Sequence, residues 1–65
     1  MSNIVFKAIS IKQINGESFH YNCESQAIES LNDELFAEAK ILYIVDGQAA
    51  MVTFTDVDAL RDELS

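Results

Sequence analysis

Two dipeptides that end in glycine constrain the fold of this chain more than any other feature of its sequence. The chain has two glycines and no proline, and each glycine follows a residue that favours turns, in Asn15-Gly16 and Asp46-Gly47. Both dipeptides lie between apolar runs, a pattern that is typical of β-hairpins. The sequence therefore predicts two hairpins, one in each half of the chain.

The first hairpin has one register that places the apolar residues of both its strands on a common face. A two-residue loop would pair apolar residues of one strand with polar residues of the other. A three-residue loop, with Gly16 in the left-handed region beside a bulge, avoids this mismatch. It pairs Ile11 with Phe19 and Ile9 with Tyr21. On this register the opposite face of the first strand carries Ile4, Phe6 and Ala8.

After the first hairpin, the apolar residues change to helical spacing. From Glu24 to about Phe36 they form one stripe, and Asn22 or Ser25 is available as the N-cap. A second helix is predicted near the end of the chain, because residues 55–58 resemble a capping box in which Asp replaces the usual Glu. The predicted apolar stripes consist of Ala27, Ile28, Leu31 and Leu35 in the first helix, and of Val57, Leu60 and Leu64 in the second.

The second hairpin, from about Ala39 to Phe54, is apolar on both faces. A type I′ turn at Asp46-Gly47 sets Ile41, Tyr43 and Val45 beside Ala50, Val52 and Phe54 on one face. Leu42 and Ile44 meet Ala49 and Met51 on the other. The element order is thus ββαββα, and we predict a single acidic α+β domain over residues 1–65, with antiparallel hairpins packed by two short helices.

The charge balance excludes several classes of partner. Eleven acids against four basic residues give a formal net charge of -7. Nucleic acid and anionic membranes are bound by clustered Lys and Arg, whereas the basic residues here are scattered along the sequence. We therefore expect no direct binding of nucleic acid and no membrane association.

Metal, disulfide and secretory features are not predicted either. One cysteine cannot form an internal disulfide, and one His with one Cys cannot supply the four ligands of a structural zinc. The first residues lack the basic and apolar regions of a signal peptide. The apolar run at residues 41–45 is too short to span a bilayer. We expect a cytoplasmic protein with no metal and no cofactor.

Catalysis is not predicted. His20 and Cys23 are three positions apart, so in a strand their side chains would diverge, with His20 exposed and Cys23 buried. No glycine-rich phosphate loop and no Gly-x-Ser-x-Gly elbow occurs. The sequence therefore predicts a non-catalytic protein.

The acids of the first predicted helix are the leading candidates for a binding surface. Glu29 and Asp33 are four positions apart, and like charges at that spacing weaken a helix. Net charge for solubility would account for them. The functional alternative is a negative surface for a basic site on another protein, used as an inhibitor or nucleic-acid mimic. The residues predicted to bind the partner are Glu29, Asp33, Glu34 and Glu38.

Self-association is the alternative function. The second hairpin has a surplus apolar face, and exposed apolar patches of a few hundred Å² generally mark interfaces. A homo-oligomeric module, such as a homodimer, would use this face. Its predicted interface residues are Leu42, Ile44 and Met51, with Ala49, or else Ile4 and Phe6.

Overall fold

Two ββα units follow one another along the chain. The computed structural model describes residues 3–65. Its elements are β1 (Ile4–Gln13), β2 (Ser18–Tyr21), α1 (Glu24–Ser30), β3 (Phe36–Val45), β4 (Gln48–Phe54) and α2 (Val57–Leu64). The order ββαββα and the α+β class agree with the prediction from sequence.

The four strands form one antiparallel sheet in the order β2-β1-β3-β4. The long strands β1 and β3 lie at its centre and pair with each other, so that each ββα unit contributes one central strand and one edge strand. Exchanging β1 with β3 and β2 with β4 gives the same strand order read from the other edge of the sheet. The sheet therefore has an approximate twofold arrangement, with its seam between β1 and β3.

The first hairpin has the predicted register. Ile9 pairs with Tyr21 and Ile11 with Phe19. The loop is closed by the Gln13 N–H, which donates to the Glu17 carbonyl at 2.8 Å, and Gly16 has a φ of 91°. A three-residue loop with glycine in the left-handed region is the connection expected for this pairing.

The second hairpin also has the predicted turn and pairing. Asp46 and Gly47 have φ values of 51° and 85°, and positive φ at both central positions defines a type I′ turn. Ile44 pairs with Ala49, and Leu42 pairs with Met51. This pairing fixes which side chains of β4 share a face with those of β3.

The prediction for the start of β1 was wrong. The pairing of β1 with β3 shifts between Phe6 and Ala8, so that a bulge at Lys7 reverses the alternation of side chains. Phe6 therefore lies on the same face as Ile9 and forms an edge-to-face pair with Tyr43, their ring centroids 6.3 Å apart. Ile4 pairs with Val45 on that face as well, and Ala8 alone of the three lies on the opposite face.

Helix α1 is shorter than predicted. It ends at Ser30 instead of continuing to Phe36, and its C-cap Leu31 is extended, with φ -65° and ψ 130°. Asn32 then forms a turn in which its side-chain oxygen accepts the Glu34 N–H at 3.0 Å. Such local bonding by Asn competes with the helix. Phe36 begins β3 and packs against the core.

The N-caps also differ from those predicted. Cys23, not Asn22 or Ser25, is the N-cap of α1, and its side chain makes no capping hydrogen bond. The N-cap of α2 is Asp56, one residue after Thr55, and its carboxylate accepts the Asp58 N–H at 3.1 Å. An aspartate is among the best N-cap residues because it satisfies a backbone donor of the first turn.

The core lies between the sheet and the two helices, which pack on the same side of the sheet. Its buried residues are Ile9, Ile11, Ala27, Ala39, Ile41, Leu60 and Leu64. The predicted helical residues Ala27, Leu60 and Leu64 are all buried here. The other side of the sheet, which we call the open face, has no covering element among residues 3–65.

Candidate interaction surfaces

The open face carries an apolar patch at one end. Its members come from three strands and form two cross-strand rows: Val5, Ile44 and Ala49 in one, and Ala8, Leu42 and Met51 in the other. Met51 is 61% exposed and Val5 is 48% exposed, whereas Leu42 and Ile44 are half-buried by their neighbours. The structure thus brings the predicted interface residues Leu42, Ile44 and Met51 together on an uncovered surface.

A polar row lies beside this patch. Ser10 pairs with His20 on one side and with Lys40 on the other, and Lys40 pairs with Thr53. Between this row and the apolar patch is a shallow groove of about 220 Å³, lined by Ala8, Ser10, His20, Lys40, Leu42 and Met51. Pockets for drug-sized ligands hold about 300–1,000 Å³. The groove is therefore better suited to side chains of a macromolecular partner than to a separate small molecule.

Charge is divided unevenly between the two sides of the sheet. The open face holds Lys12 and Lys40 and one acid, Glu38, which pairs with Lys12. We define the helix layer as α1, α2 and the connecting residues 31–35 and 55–56. It contains one basic residue, Arg61, and the acids Glu24, Glu29, Asp33, Glu34, Asp56, Asp58, Asp62 and Glu63. The negative charge of the protein is thus concentrated on the helix side.

The four acids predicted to bind a partner do not share one helix face. Glu29 is exposed on α1, but Asp33 and Glu34 lie in the turn after the helix. Glu38 is in β3 and lies across from Lys12 on the open face. The predicted helical pair of Glu29 and Asp33 is therefore not formed, because the helix ends between them.

Asp33 is also neutralised by a cation. The Arg61 guanidinium donates to both carboxylate oxygens of Asp33 and lies 3.6 Å from the Asp58 carboxylate. The hydrogen bond from Arg61 lowers the pKa of Asp33, and the same contact raises the pKa of Arg61. Both side chains are substantially exposed, so we assign the pair a positioning role between α2 and the Asn32 turn rather than a large share of the stability.

Tyr43 links the sheet to the acidic helix layer. Its hydroxyl donates to the Glu63 carboxylate of α2 at 2.9 Å. Burial raises the pKa of Tyr43 to about 12, and the hydrogen bond to Glu63 and the charges of Glu63 and Glu24 act in the same direction. Acids from both helices therefore act on this one phenol.

Tyr43 makes stability depend on pH at the alkaline end. Its pKa is raised above the ordinary tyrosine value of 10, so folding favours the neutral phenol. This contribution is fully present below about pH 10 and is lost as the pH rises towards 12. We expect the free energy of unfolding, measured in urea, to fall over that window, and to fall less in Tyr43→Phe. Equal slopes for the two proteins would contradict this assignment.

The predicted burial of Cys23 was wrong. Strand β2 ends at Tyr21, so the alternation that would turn Cys23 inward does not continue, and its side chain is exposed. Its Sγ atom lies 3.0 Å from Ser25 Oγ, and this hydrogen bond lowers the pKa of the thiol. His20 lies on the open face as predicted, so the two side chains do not meet.

Comparison with known proteins gives no match from which a function could be assigned. No family model matches the chain, and no curated protein or solved structure matches it. None of the helices in residues 3–65 has the length and apolar character needed to cross a bilayer. In the same part of the chain, no group of three or more His, Cys, Asp or Glu side chains is placed to hold a metal ion.

Sequence reasoning missed the division of charge between the two sides of the sheet. It could have been found in part, because Lys12 and Lys40 alternate with the buried residues Ile11, Ala39 and Ile41 and so must point away from the core. The contact between Asp33 and Arg61 could not be predicted from the sequence, because the position of Asp33 depends on where α1 ends.

Proposed function

We propose that this chain is a non-catalytic protein-interaction module that works as a homo-oligomer, with the open face as the contact between copies. The observation that carries the proposal is the apolar patch on a face that nothing in residues 3–65 covers. Antiparallel sheets commonly keep a solvated face polar, so an apolar one favours a second layer. Sheets stacked face to face lie about 10 Å apart and interdigitate their side chains.

The distribution of charge favours a second copy as the occupant. Two open faces in contact leave both acidic helix layers on the outside, where the repulsion between them is smallest. The open face itself carries both signs, since Glu38 pairs with Lys12 in the row next to that of Lys40. A twofold contact can therefore pair opposite charges around the apolar patch.

The test compares two neighbouring residues of β1 that point to opposite faces. Val5 is 48% exposed on the open face, and Ile4 is 62% exposed on the helix side. Because a contact that covers the patch would desolvate the new carboxylate, we expect Val5→Glu to weaken self-association by about tenfold or more. Ile4→Glu adds the same charge outside the contact and is the matched control.

The measurement is sedimentation equilibrium of the wild type and both variants over a range of protein concentration. The proposal predicts a wild-type oligomer, a lower oligomer fraction in Val5→Glu and little change in Ile4→Glu. A wild type that stays monomeric at every concentration, or equal effects of the two substitutions, would overturn it.

The concentration of acids in the helix layer favours a second candidate, binding to a basic surface of another protein. The protein would then act as an inhibitor or nucleic-acid mimic, and its binding surface would be the whole helix layer around α2 instead of an acidic stripe on α1. The discriminating result is a complex, recovered from the native cell, that weakens as salt is raised and is unaffected by Val5→Glu.

A further inference from the structure

Strand β4 is an unprotected edge of the sheet. It lies at the end of the strand order, and its seven residues, QAAMVTF, include no charged residue and no proline. The other edge strand, β2, has four residues. Edge strands are usually protected by short length, charge, proline or a bulge, because their free backbone groups can pair with another chain. The regular pairing of β4 with β3 shows no register shift.

The turn determines which backbone groups of β4 are free. In a type I′ turn the N–H of the fourth residue, here Gln48, bonds to the carbonyl of the first, here Val45. On the other strand of the hairpin, the residue after Val45 points its backbone groups the opposite way, towards β1. The Asp46 N–H donates to the Asn3 carbonyl, which directly precedes β1, at 2.9 Å. Directions alternate along an antiparallel strand. The backbone groups of Ala49, Met51 and Thr53 therefore point away from β3.

We propose that two copies pair β4 with β4 in antiparallel orientation about a twofold axis at Met51, which joins their sheets into one of eight strands. This inference rests on the self-association proposed above and adds a second, separate contact to it. Met51 is the midpoint of Gln48–Phe54, so this register pairs the whole strand. The free groups of Ala49 meet those of Thr53 in the second copy, and Met51 meets its own equivalent.

The strand is self-complementary on this register. Ala50 lies opposite Val52 of the second copy on the helix side, and Val52 is 40% exposed in the single chain. On the open side, the two Met51 side chains join the apolar patches of both copies. No charges oppose each other within the strand. The nearest acids are Asp46 and Asp56 beyond its ends, and their mutual repulsion makes this contact stronger as salt rises.

The two contacts together define a closed assembly. A twofold axis through the edge contact and another through the face contact generate a tetramer of two eight-stranded sheets, which is a common closed symmetry for soluble proteins. In it the joined apolar patches of one pair cover those of the other pair. Each contact alone gives a dimer.

Amide hydrogen exchange of the full chain tests the edge contact directly. In a free edge, Ala49, Met51 and Thr53 exchange rapidly while their neighbours Ala50 and Val52, bonded to β3, are protected. In the edge-paired assembly all five are protected. Rapid exchange at Ala49, Met51 and Thr53 in protein that sediments as an oligomer would overturn the edge contact and leave the face contact standing.

A proline variant provides the second readout. Thr53→Pro removes an N–H that points away from β3, so the hairpin keeps its own bonds, and Thr53→Val keeps the N–H as the matched control. We expect the tetramer to become a dimer in Thr53→Pro and to persist in Thr53→Val, with circular dichroism confirming the fold of both. A tetramer that persists in Thr53→Pro overturns the edge contact.

Val5→Glu distinguishes the edge contact from the face contact. It should also give a dimer, but one in which the Met51 amide stays protected, so the two proposals can fail separately. A strictly monomeric wild type overturns both.

Discussion

Replacing Leu60 with alanine is expected to lower the free energy of unfolding by about 2–5 kcal/mol. Leu60 is fully buried and is among the largest side chains in the core. It holds α2 against the sheet, where it contacts the cluster around Ile9 and Ile41. A chain of this length has a total stability of roughly 3–10 kcal/mol at about 0.05–0.15 kcal/mol per residue. The substitution therefore removes a large share of it.

Urea denaturation of wild type and Leu60→Ala, followed by circular dichroism, measures this loss. Both proteins should be compared at one concentration, because self-association raises the apparent stability. Ile14→Ala is the control, since Ile14 is 67% exposed in the first turn and should change stability by less than about 0.5 kcal/mol. Similar losses in the two variants would show that Leu60 does not hold the core together.

Replacing Gly47 with valine is expected to cost about 1–3 kcal/mol. Gly47 has a φ of 85°, and a Cβ added there would meet no atom within 4 Å. The cost therefore comes from the backbone conformation, which a β-branched residue adopts poorly. Asp46→Asn is the control, because asparagine tolerates the left-handed conformation that Asp46 holds at a φ of 51°.

Urea denaturation again gives the loss, and hydrogen exchange locates it. We expect the amides of Gln48 and Ala50, which bond to β3, to lose protection in Gly47→Val while β1 and β2 keep theirs until global unfolding. Unchanged stability in Gly47→Val would mean that the turn does not constrain the hairpin.

The hairpins could be predicted from sequence because their signals are local and independent. The glycines limited the positions of the turns. The need for a shared apolar face then selected the register of the first hairpin, and the type I′ turn at Asp46-Gly47 set that of the second. The pairing of Ile9 with Tyr21 and of Leu42 with Met51 followed from these two constraints. The helices were predicted from the helical spacing of their apolar residues, of which Ala27, Leu60 and Leu64 are buried in the core.

The errors arose where tertiary contacts decide between local alternatives. The bulge at Lys7 brings Phe6 against Tyr43, and nothing in the β1 sequence marks it. The end of α1 depended on whether Leu31 and Leu35 would continue a helix or flank a turn, and the bonding of Asn32 settled it. The strand order was also open, since antiparallel hairpins can join along either edge.

The candidate surfaces were predictable to different degrees. The apolar face of Leu42, Ile44 and Met51 followed from the alternation in the second hairpin and was found intact. The acidic stripe was not, because it required Asp33 to lie on a helix that ends before it. A surface that spans several elements depends on every boundary between them, whereas a surface on one hairpin depends on a single register.

The twofold topology also affects how the chain reaches its native state. Each ββα unit forms through contacts close in sequence, but the seam between the units pairs Ile4 with Val45 and Ile11 with Ala39. Pairing β1 with β3 closes a long segment of the chain, and the loss of conformational entropy is larger than for the short loops of the two hairpins. The rate-limiting step of folding is therefore expected at this seam, when two preformed halves dock along β1 and β3.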